Sequence, residues 1–342
     1  MVVRDERRQH MGNARHDGLT LARARACDEF HTSYETVAAE LCHYGDHLRG
    51  RSVYCNCDDP GRSNFWAYFR DNFEALGLGR VVATGYVSGG HGRYARCERV
   101  GGRVVTCESE LDGDGDFRSP ECVRLLGECD VVVTNPPFSL VREFLSAIWA
   151  AGKDYVVLGS QNVMTYAQTH SHITDGSIRF GVSIHAGDVT FEVPSDYEPD
   201  RPGSKVFVGD DGRTHASVTG IRWLTNLDVG VTSERMQLRS MAENLACNDS
   251  LRRRLDSRFG SSDRYPTYDN YAGAIEVPLT NAIPSDFGGV MGVPITFLDK
   301  YRPDQFEIVG VRKGLDGRDL RVGKVNPYCR LLVRNRKVAH AV

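Results

Sequence analysis

Nowhere in its 342 residues does this chain stay apolar for the roughly 20 positions that crossing a bilayer requires. Its charged N-terminus lacks the apolar core of a signal peptide. A membrane-spanning or secreted protein is therefore not the expectation. The ten cysteines are scattered. Cys55 and Cys57 form a C-x-C pair pointing the same way on a strand, but no second pair stands at zinc-ligand spacing. They read as reduced thiols of a cytoplasmic protein, with no metal expected. Asp112-Gly113-Asp114-Gly115-Asp116 alternates like a calcium loop, yet Val123 stands where such a loop needs its last carboxylate. There is no internal repeat. A net charge of −3, with 25% charged and 41% hydrophobic residues, is ordinary for a soluble globular protein and does not announce a nucleic-acid binder.

The charge is uneven, however. Residues 1–25 hold Arg4, Arg7, Arg8, Arg15, Arg23 and Arg25 against Asp5, Glu6 and Asp17. The stretch from Arg312 to Lys337, which includes Lys324, carries nine Lys or Arg against Asp316 and Asp319. A third cluster is Arg252-Arg253-Arg254. Local basic patches of this kind can bind phosphates even on an acidic protein, although any one of them alone reads first as a solvated surface or a tail.

The length suits one large or two medium domains. Residues 1–26 have little apolar periodicity and read as a mobile basic arm. Thr32 with Glu35 is a capping-box pattern, followed by Tyr34, Val37, Ala38 and Leu41 at helical spacing. Strands are expected at Ser52–Cys57, Val81–Ala83, Val131–Val133 and Tyr155–Leu158. Phe65, Trp66, Phe69, Phe73 and Leu76 form the inner face of one helix that Gly77 can stop. Further helices are expected from Ser119-Pro120 and from Ser139 to Gly152. Apolar strands alternating with helices predict an α/β fold with a parallel sheet covered on both faces, whose ligands bind beyond the carboxyl ends of the strands. After about residue 178 the pattern turns irregular and β-rich, with strands expected at 189–193, 295–297 and 306–309.

The chemistry concentrates in Thr134-Asn135-Pro136-Pro137-Phe138, a loop leaving the apolar run Val131-Val132-Val133. Asn135 offers a side-chain carbonyl. Pro136 offers a backbone carbonyl and no N–H, and the two proline rings fix φ. Phe138 supplies a face for a flat ring. Such a loop suits gripping a planar –NH2 group beside a methyl donor. Three other segments fit the donor. Asp58-Asp59-Pro60-Gly61-Arg62-Ser63-Asn64-Phe65 is a strand-to-helix turn with backbone N–H groups for a carboxylate and acids for an ammonium. Asp116-Phe117 can accept from an adenine amine and stack on its ring. Glu29-Phe30-His31-Thr32-Ser33 can close the methionine end.

In these segments the chain resembles the EcoRI-type adenine-specific DNA methyltransferases. The resemblance is carried by Asp28-Glu29-Phe30-His31-Thr32, Val53-Tyr54-Cys55-Asn56-Cys57-Asp58-Asp59-Pro60, Ser63-Asn64-Phe65, Gly113-Asp114-Gly115-Asp116-Phe117 and Thr134-Asn135-Pro136-Pro137-Phe138-Ser139. Trp223-Leu224-Thr225-Asn226-Leu227, Tyr268-Asp269-Asn270-Tyr271 and Val293-Pro294-Ile295-Thr296-Phe297 extend it toward the C-terminus. It implies a Rossmann-like methyltransferase sheet, with a catalytic domain at 27–190 and an irregular β-rich target-recognition region at 191–342. It implies S-adenosylmethionine as donor and the N6 amine of adenine in double-stranded DNA as acceptor, and it leaves open a cognate restriction endonuclease. Donor contacts are implied at Phe30, Thr32, Asp58, Asp59, Asn64, Asp116 and Phe117, to which the turn adds Pro60, Ser63 and Phe65. Asn135, Pro136, Pro137 and Phe138 are the implied catalytic loop. Trp223, Arg252, Arg253, Arg254 and Lys324 are candidates for DNA contact, Trp223 reading equally as core. His31 and Ser33 depart from the family's Tyr and Pro, and Gly61-Arg62-Ser63-Asn64 replaces the glycine-rich donor loop of most methyltransferases. An RNA base or a protein glutamine amide as acceptor, or a non-catalytic DNA-binding role, are the alternatives.

Overall fold

The computed structural model describes residues 30–185, 187–197, 205–230, 234–313 and 320–336. The basic arm at 1–26, the residues Asp28 and Glu29, and parts of the C-terminal basic stretch lie outside the described residues. The chain forms two compact units, Met1–Ser160 with Gly181–Leu227, and Gln161–Phe180 with Asp228–Val342.

The first unit is built on the strands β1 (Ser52–Cys55), β2 (Arg80–Gly85), β3 (Arg93–Val100), β4 (Arg103–Glu110), β5 (Val131–Thr134) and β6 (Asp154–Ser160). With strand Ile221–Thr225 they lie side by side in the order β4, β3, β2, β1, β5, β6, Ile221–Thr225. The central four pair in parallel. β3, β4 and Ile221–Thr225 are antiparallel. The sheet is therefore mixed rather than parallel throughout. The hairpin β3–β4 accounts for one edge: its outer strand is almost wholly exposed, so its sequence lacks the buried apolar run that marks the central strands. From β1 the chain goes to β2 on one side and later returns to β5 on the other. That reversal opens a crevice beyond the carboxyl ends of β1 and β5, which pair at Val53↔Val131 and Tyr54↔Val132.

Several helices start where a side chain satisfies their end groups. Helix Tyr34–Leu41 is capped by Ser33, whose hydroxyl accepts from the Thr36 N–H, and not by Thr32. The carbonyl of Thr32 instead accepts from Asn64. Residues 65–76 form two short helices, Asn64–Asp71 and Phe73–Leu76, rather than one. The break falls at Asn72, whose side chain donates to the Tyr68 carbonyl and to the Tyr34 hydroxyl. Gly77 then ends the second helix at φ 63°. Helix Pro120–Glu128 begins as expected, with Ser119 as cap and proline in its first turn. A separate three-stranded antiparallel sheet, Asp188–Glu192, Thr214–Thr219 and Lys205–Val208, completes the first unit.

The second unit holds helices Met241–Cys247 and Asp249–Phe259 and a four-stranded sheet ordered Ala274–Glu276, Val290–Pro294, Arg330–Asn335, Phe306–Arg312. The segment 295–297 is part of a 3-10 helix, Ile295–Lys300, and not a strand. The preceding strand ends at Pro294, which has no N–H to continue a ladder. Inside this unit Arg330 lies 2.7 Å from Glu276, both almost fully buried, and the Tyr268 hydroxyl donates to the same carboxylate. Among the described residues no helix is long and apolar enough to cross a membrane.

Candidate active site

Beyond the ends of β1 and β5 the first unit encloses a cavity of about 190 Å³. Two glycines permit the close backbone approaches around it. A Cβ on Gly85 would stand 2.6 Å from the Asp59 Cα, and one on Gly115 (φ +80°) 2.4 Å from the Gly85 carbonyl oxygen. The turn after β1, the end of β2 and the 113–117 loop are thereby pressed together.

The turn after β1 is organised by Ser63. Its hydroxyl accepts from the N–H groups of Phe65 and Trp66 at the start of helix Asn64–Asp71, and donates to Asp58 at 2.8 Å. The Thr134 hydroxyl accepts from the Cys57 N–H and also donates to Asp58. The Asn135 N–H points at the same carboxylate. Burial pushes Asp58 up to about 6, against the lowering effect of these three donors. Burial, and next the charge of Asp58, push the Cys55 and Cys57 thiols up, so both stay protonated and neither is a ready nucleophile.

Asn135 donates through Nδ2 to the Phe30 carbonyl at 2.7 Å. A carbonyl only accepts, so this bond fixes which end of the amide faces which way. Oδ1 is left buried with no protein donor. Two further acceptor-bearing side chains on the same cavity are in that condition: Oγ1 of Thr32, 4% exposed, and Oδ1 of Asn56, 3% exposed. Buried polar atoms are nearly always bonded. Three orphans around one cavity describe a site shaped for a polar ligand, with N–H or O–H groups to offer each of them.

Phe30, Thr32, Asp58 and Asp59 line the cavity, as do Ser63, Asn64 and Phe65. Asp116, Phe117, Asn135 and Pro137 complete the expected set found there. Asp59 accepts from the Gly61 N–H and lies 3.6 Å from Arg93. Asp116 is held by Arg118 through both carboxylate oxygens, at 2.9 and 2.6 Å, while Phe117 packs edge-on against Phe144. Pro60, Pro136 and Phe138 do not line the cavity. The Phe138 ring stacks on Phe30, with centroids 5.2 Å apart, and makes an edge-to-face contact with Phe191 at 5.9 Å. Asn56, Cys57, Arg62 and Tyr86 line the cavity without having been expected. A polar residue ending an apolar strand was the available sign for Asn56.

Trp223 does not offer a base-contacting surface: it is 0% exposed, on strand Ile221–Thr225, in edge-to-face contact with Phe65. Its place is the core. In the second unit Arg252 binds the carbonyls of Leu245 and Ala246 and the carboxylate of Asp249, closing the end of helix Met241–Cys247. Arg253 and Arg254 are exposed on the following helix, and Lys324 is exposed in the turn where Val322 and Val325 pair.

The family described as adenine-specific methyltransferase EcoRI matches residues 18–337 of the chain. The chain is 37% identical over 340 residues to the Type II methyltransferase M.EcoRI of Escherichia coli, spanning 95% of this chain and 98% of that protein. It is 34% identical over 282 residues to the Type II methyltransferase M.MpnI of Mycoplasma pneumoniae, spanning 82% of each. With the Type II methyltransferase M.MgeORF184P of Mycoplasma genitalium it shares 30% identity over 284 residues. No solved structure matches.

Proposed function

The chain belongs to the EcoRI family of adenine-specific methyltransferases, and from that premise we propose that it methylates the N6 amine of adenine at a specific site in double-stranded DNA, with S-adenosylmethionine as donor. The observation that carries the proposal is the buried, unpartnered Oδ1 of Asn135, aimed by the bond from its own Nδ2 to the Phe30 carbonyl.

The exocyclic amine of adenine is a poor nucleophile because its lone pair is delocalised into the ring. Asn135 Oδ1 and the Pro136 carbonyl are two acceptors for its two N–H groups. Bonding both favours a pyramidal nitrogen with its lone pair free for in-line attack. S-adenosylmethionine supplies an electrophilic methyl group on a sulfonium. The nitrogen–carbon bond forms as the carbon–sulfur bond breaks, and the amine sheds a proton to solvent. No covalent enzyme intermediate is needed, in keeping with the protonated buried thiols. Orientation supplies much of the acceleration. A base inside a duplex must leave the stack to reach this site.

Thr32, Asn56, Asp59, Asn64, Asp116 and Phe117 are the residues that would hold the donor, with Ser63 committed to the turn itself. The two orphan atoms apart from Asn135 Oδ1, Thr32 Oγ1 and Asn56 Oδ1, fit its ammonium, ribose hydroxyls and adenine amine as a class of N–H and O–H donors. Target recognition we place in the second unit, within the region 191–342. There Arg253, Arg254 and Lys324 are candidates for phosphate contacts that position without reading sequence.

The test is transfer of a labelled methyl group from S-adenosylmethionine to unmethylated duplex DNA, followed by nucleoside analysis and methylation-sensitive sequencing. N6-methyladenine within one short sequence supports the proposal. Measurable donor binding with no label in DNA would overturn it.

A further inference from the structure

We infer that Asp58 is a positioning residue for methyl transfer, its ionised carboxylate strapping the donor turn to the loop that grips the target amine, without itself touching the donor. The inference rests on the methyl-transfer reading of the cavity and assigns this acid a different task from the other residues of its turn.

The geometry surrounds the carboxylate with donors that have no other acceptor to turn to. The Ser63 hydroxyl has its lone pairs turned to the N–H groups of Phe65 and Trp66, so its one proton goes to Asp58. The Thr134 hydroxyl accepts from the Cys57 N–H, so its proton goes there too. The Asn135 N–H is a third donor that can only donate. Three obligatory donors thus meet two oxygens, in a side chain that is 7% exposed. A protonated acid or an amide at this point would set another hydrogen among them with no acceptor. The structure selects the carboxylate although burial opposes its charge.

What the strap holds is the relative placement of the two halves of the reaction. Through Ser63 it fixes the start of helix Asn64–Asp71, where Asn64 grips the Thr32 carbonyl. Through Thr134 and the Asn135 N–H it fixes the backbone from which the Asn135 side chain reaches Phe30. Displacing that loop by a fraction of an ångström leaves donor binding intact and misaligns the amine. The titratable and charged groups around Asp58 are the Cys55 and Cys57 thiols beside β1, Asp59 and Arg62 on its own turn, Asp116 on the 113–117 loop and His31 on the segment before the first helix.

The experiment compares the wild-type protein with Asp58→Asn, Thr134→Val and Thr134→Ser. It measures S-adenosylmethionine affinity by calorimetry, single-turnover methylation of duplex DNA from pH 5 to 9, and the 15N–1H resonance of the Asn135 amide over the same range. Asp58→Asn lowers the turnover rate ~10²-fold while donor affinity changes less than about threefold. In the wild type the rate falls on the acid side of pH about 6 and the Asn135 amide shifts on the same curve. Both titrations vanish in Asp58→Asn. Thr134→Val is slowed and Thr134→Ser, which keeps the hydroxyl, is not. Donor affinity falling in step with rate would overturn the inference and make Asp58 a donor contact. Persistence of both titrations in Asp58→Asn would also overturn it. A wild-type protein that methylates no DNA would refute the proposed function, and the amide titration would still decide whether the strap exists.

Discussion

Asn135 and Phe30, 105 residues apart in the chain, are joined by a 2.7 Å hydrogen bond from the Asn135 amide nitrogen to the Phe30 carbonyl. The bond spends the donor half of the amide on the protein and leaves the acceptor half for a ligand. It ties the segment before the first helix to the loop after β5, so the N-terminal segment helps set the aim of the proposed catalytic carbonyl.

Removing that carbonyl tests the aim. Asn135→Ala loses one of two acceptors for the target amine while leaving the donor turn in place. Loss of a single preorganised group of this kind costs about 10²–10³ in rate. We expect that loss in single-turnover methylation, with S-adenosylmethionine affinity nearly unchanged. Undiminished methylation by this variant would remove Asn135 from the site.

Phe138 is half-buried, its ring stacked on Phe30 and in edge-to-face contact with Phe191. A base stacking on the face that Phe30 covers must displace Phe30. Stacking on an aromatic is worth ~1–3 kcal/mol per base. Phe138→Ala should therefore raise the KM for duplex DNA by about 10- to 100-fold, with donor affinity unaltered. Equal KM values for the variant and the wild type would assign Phe138 to packing alone.

Asn56 contributes an acceptor with no partner in the protein, at the carboxyl end of β1. A ligand group that donates to it gains the net value of one hydrogen bond, about 1 kcal/mol. Asn56→Leu should weaken S-adenosylmethionine binding by roughly 5- to 10-fold. Calorimetric affinity equal to that of the wild type would mean that the donor leaves Asn56 unsatisfied.

The legible parts of this protein were those written in one short stretch. Val131–Thr134 followed by two prolines announces a buried strand and a stiff loop, and Ser119-Pro120 announces a helix start. The site was legible as a set of segments, because strand ends in an α/β sheet face one crevice. Partnerships between distant residues were not. Nothing near Thr32 shows that Ser33 takes the cap and leaves the Thr32 hydroxyl to the cavity. Nothing near Trp223 shows that its ring lies against Phe65 in the core. The hairpin β3–β4 escaped notice because an exposed edge ribbon carries charge on both faces. Asp58 read as a ligand for an ammonium, and only the convergence of Ser63, Thr134 and Asn135 gives it another task.

The same buried acid makes the stability of the fold depend on pH in a definite direction. Asp58 titrates near 3.8 in an unfolded chain and at about 6 in the folded protein. Between those values the folded state holds a proton that the unfolded state has lost. The contribution of this group to stability is therefore full below pH 4, falls as pH rises toward 6, and stays low above it. The whole change is roughly 3 kcal/mol. Asp58→Asn cannot titrate, and every other group is common to the two proteins. Urea denaturation at pH 7 and at pH 4 should thus show the wild type gaining about 2 kcal/mol relative to Asp58→Asn at the lower pH. A gap that narrows or stays constant would mean that Asp58 ionises in the fold as readily as in water, and that its three donors outweigh its burial.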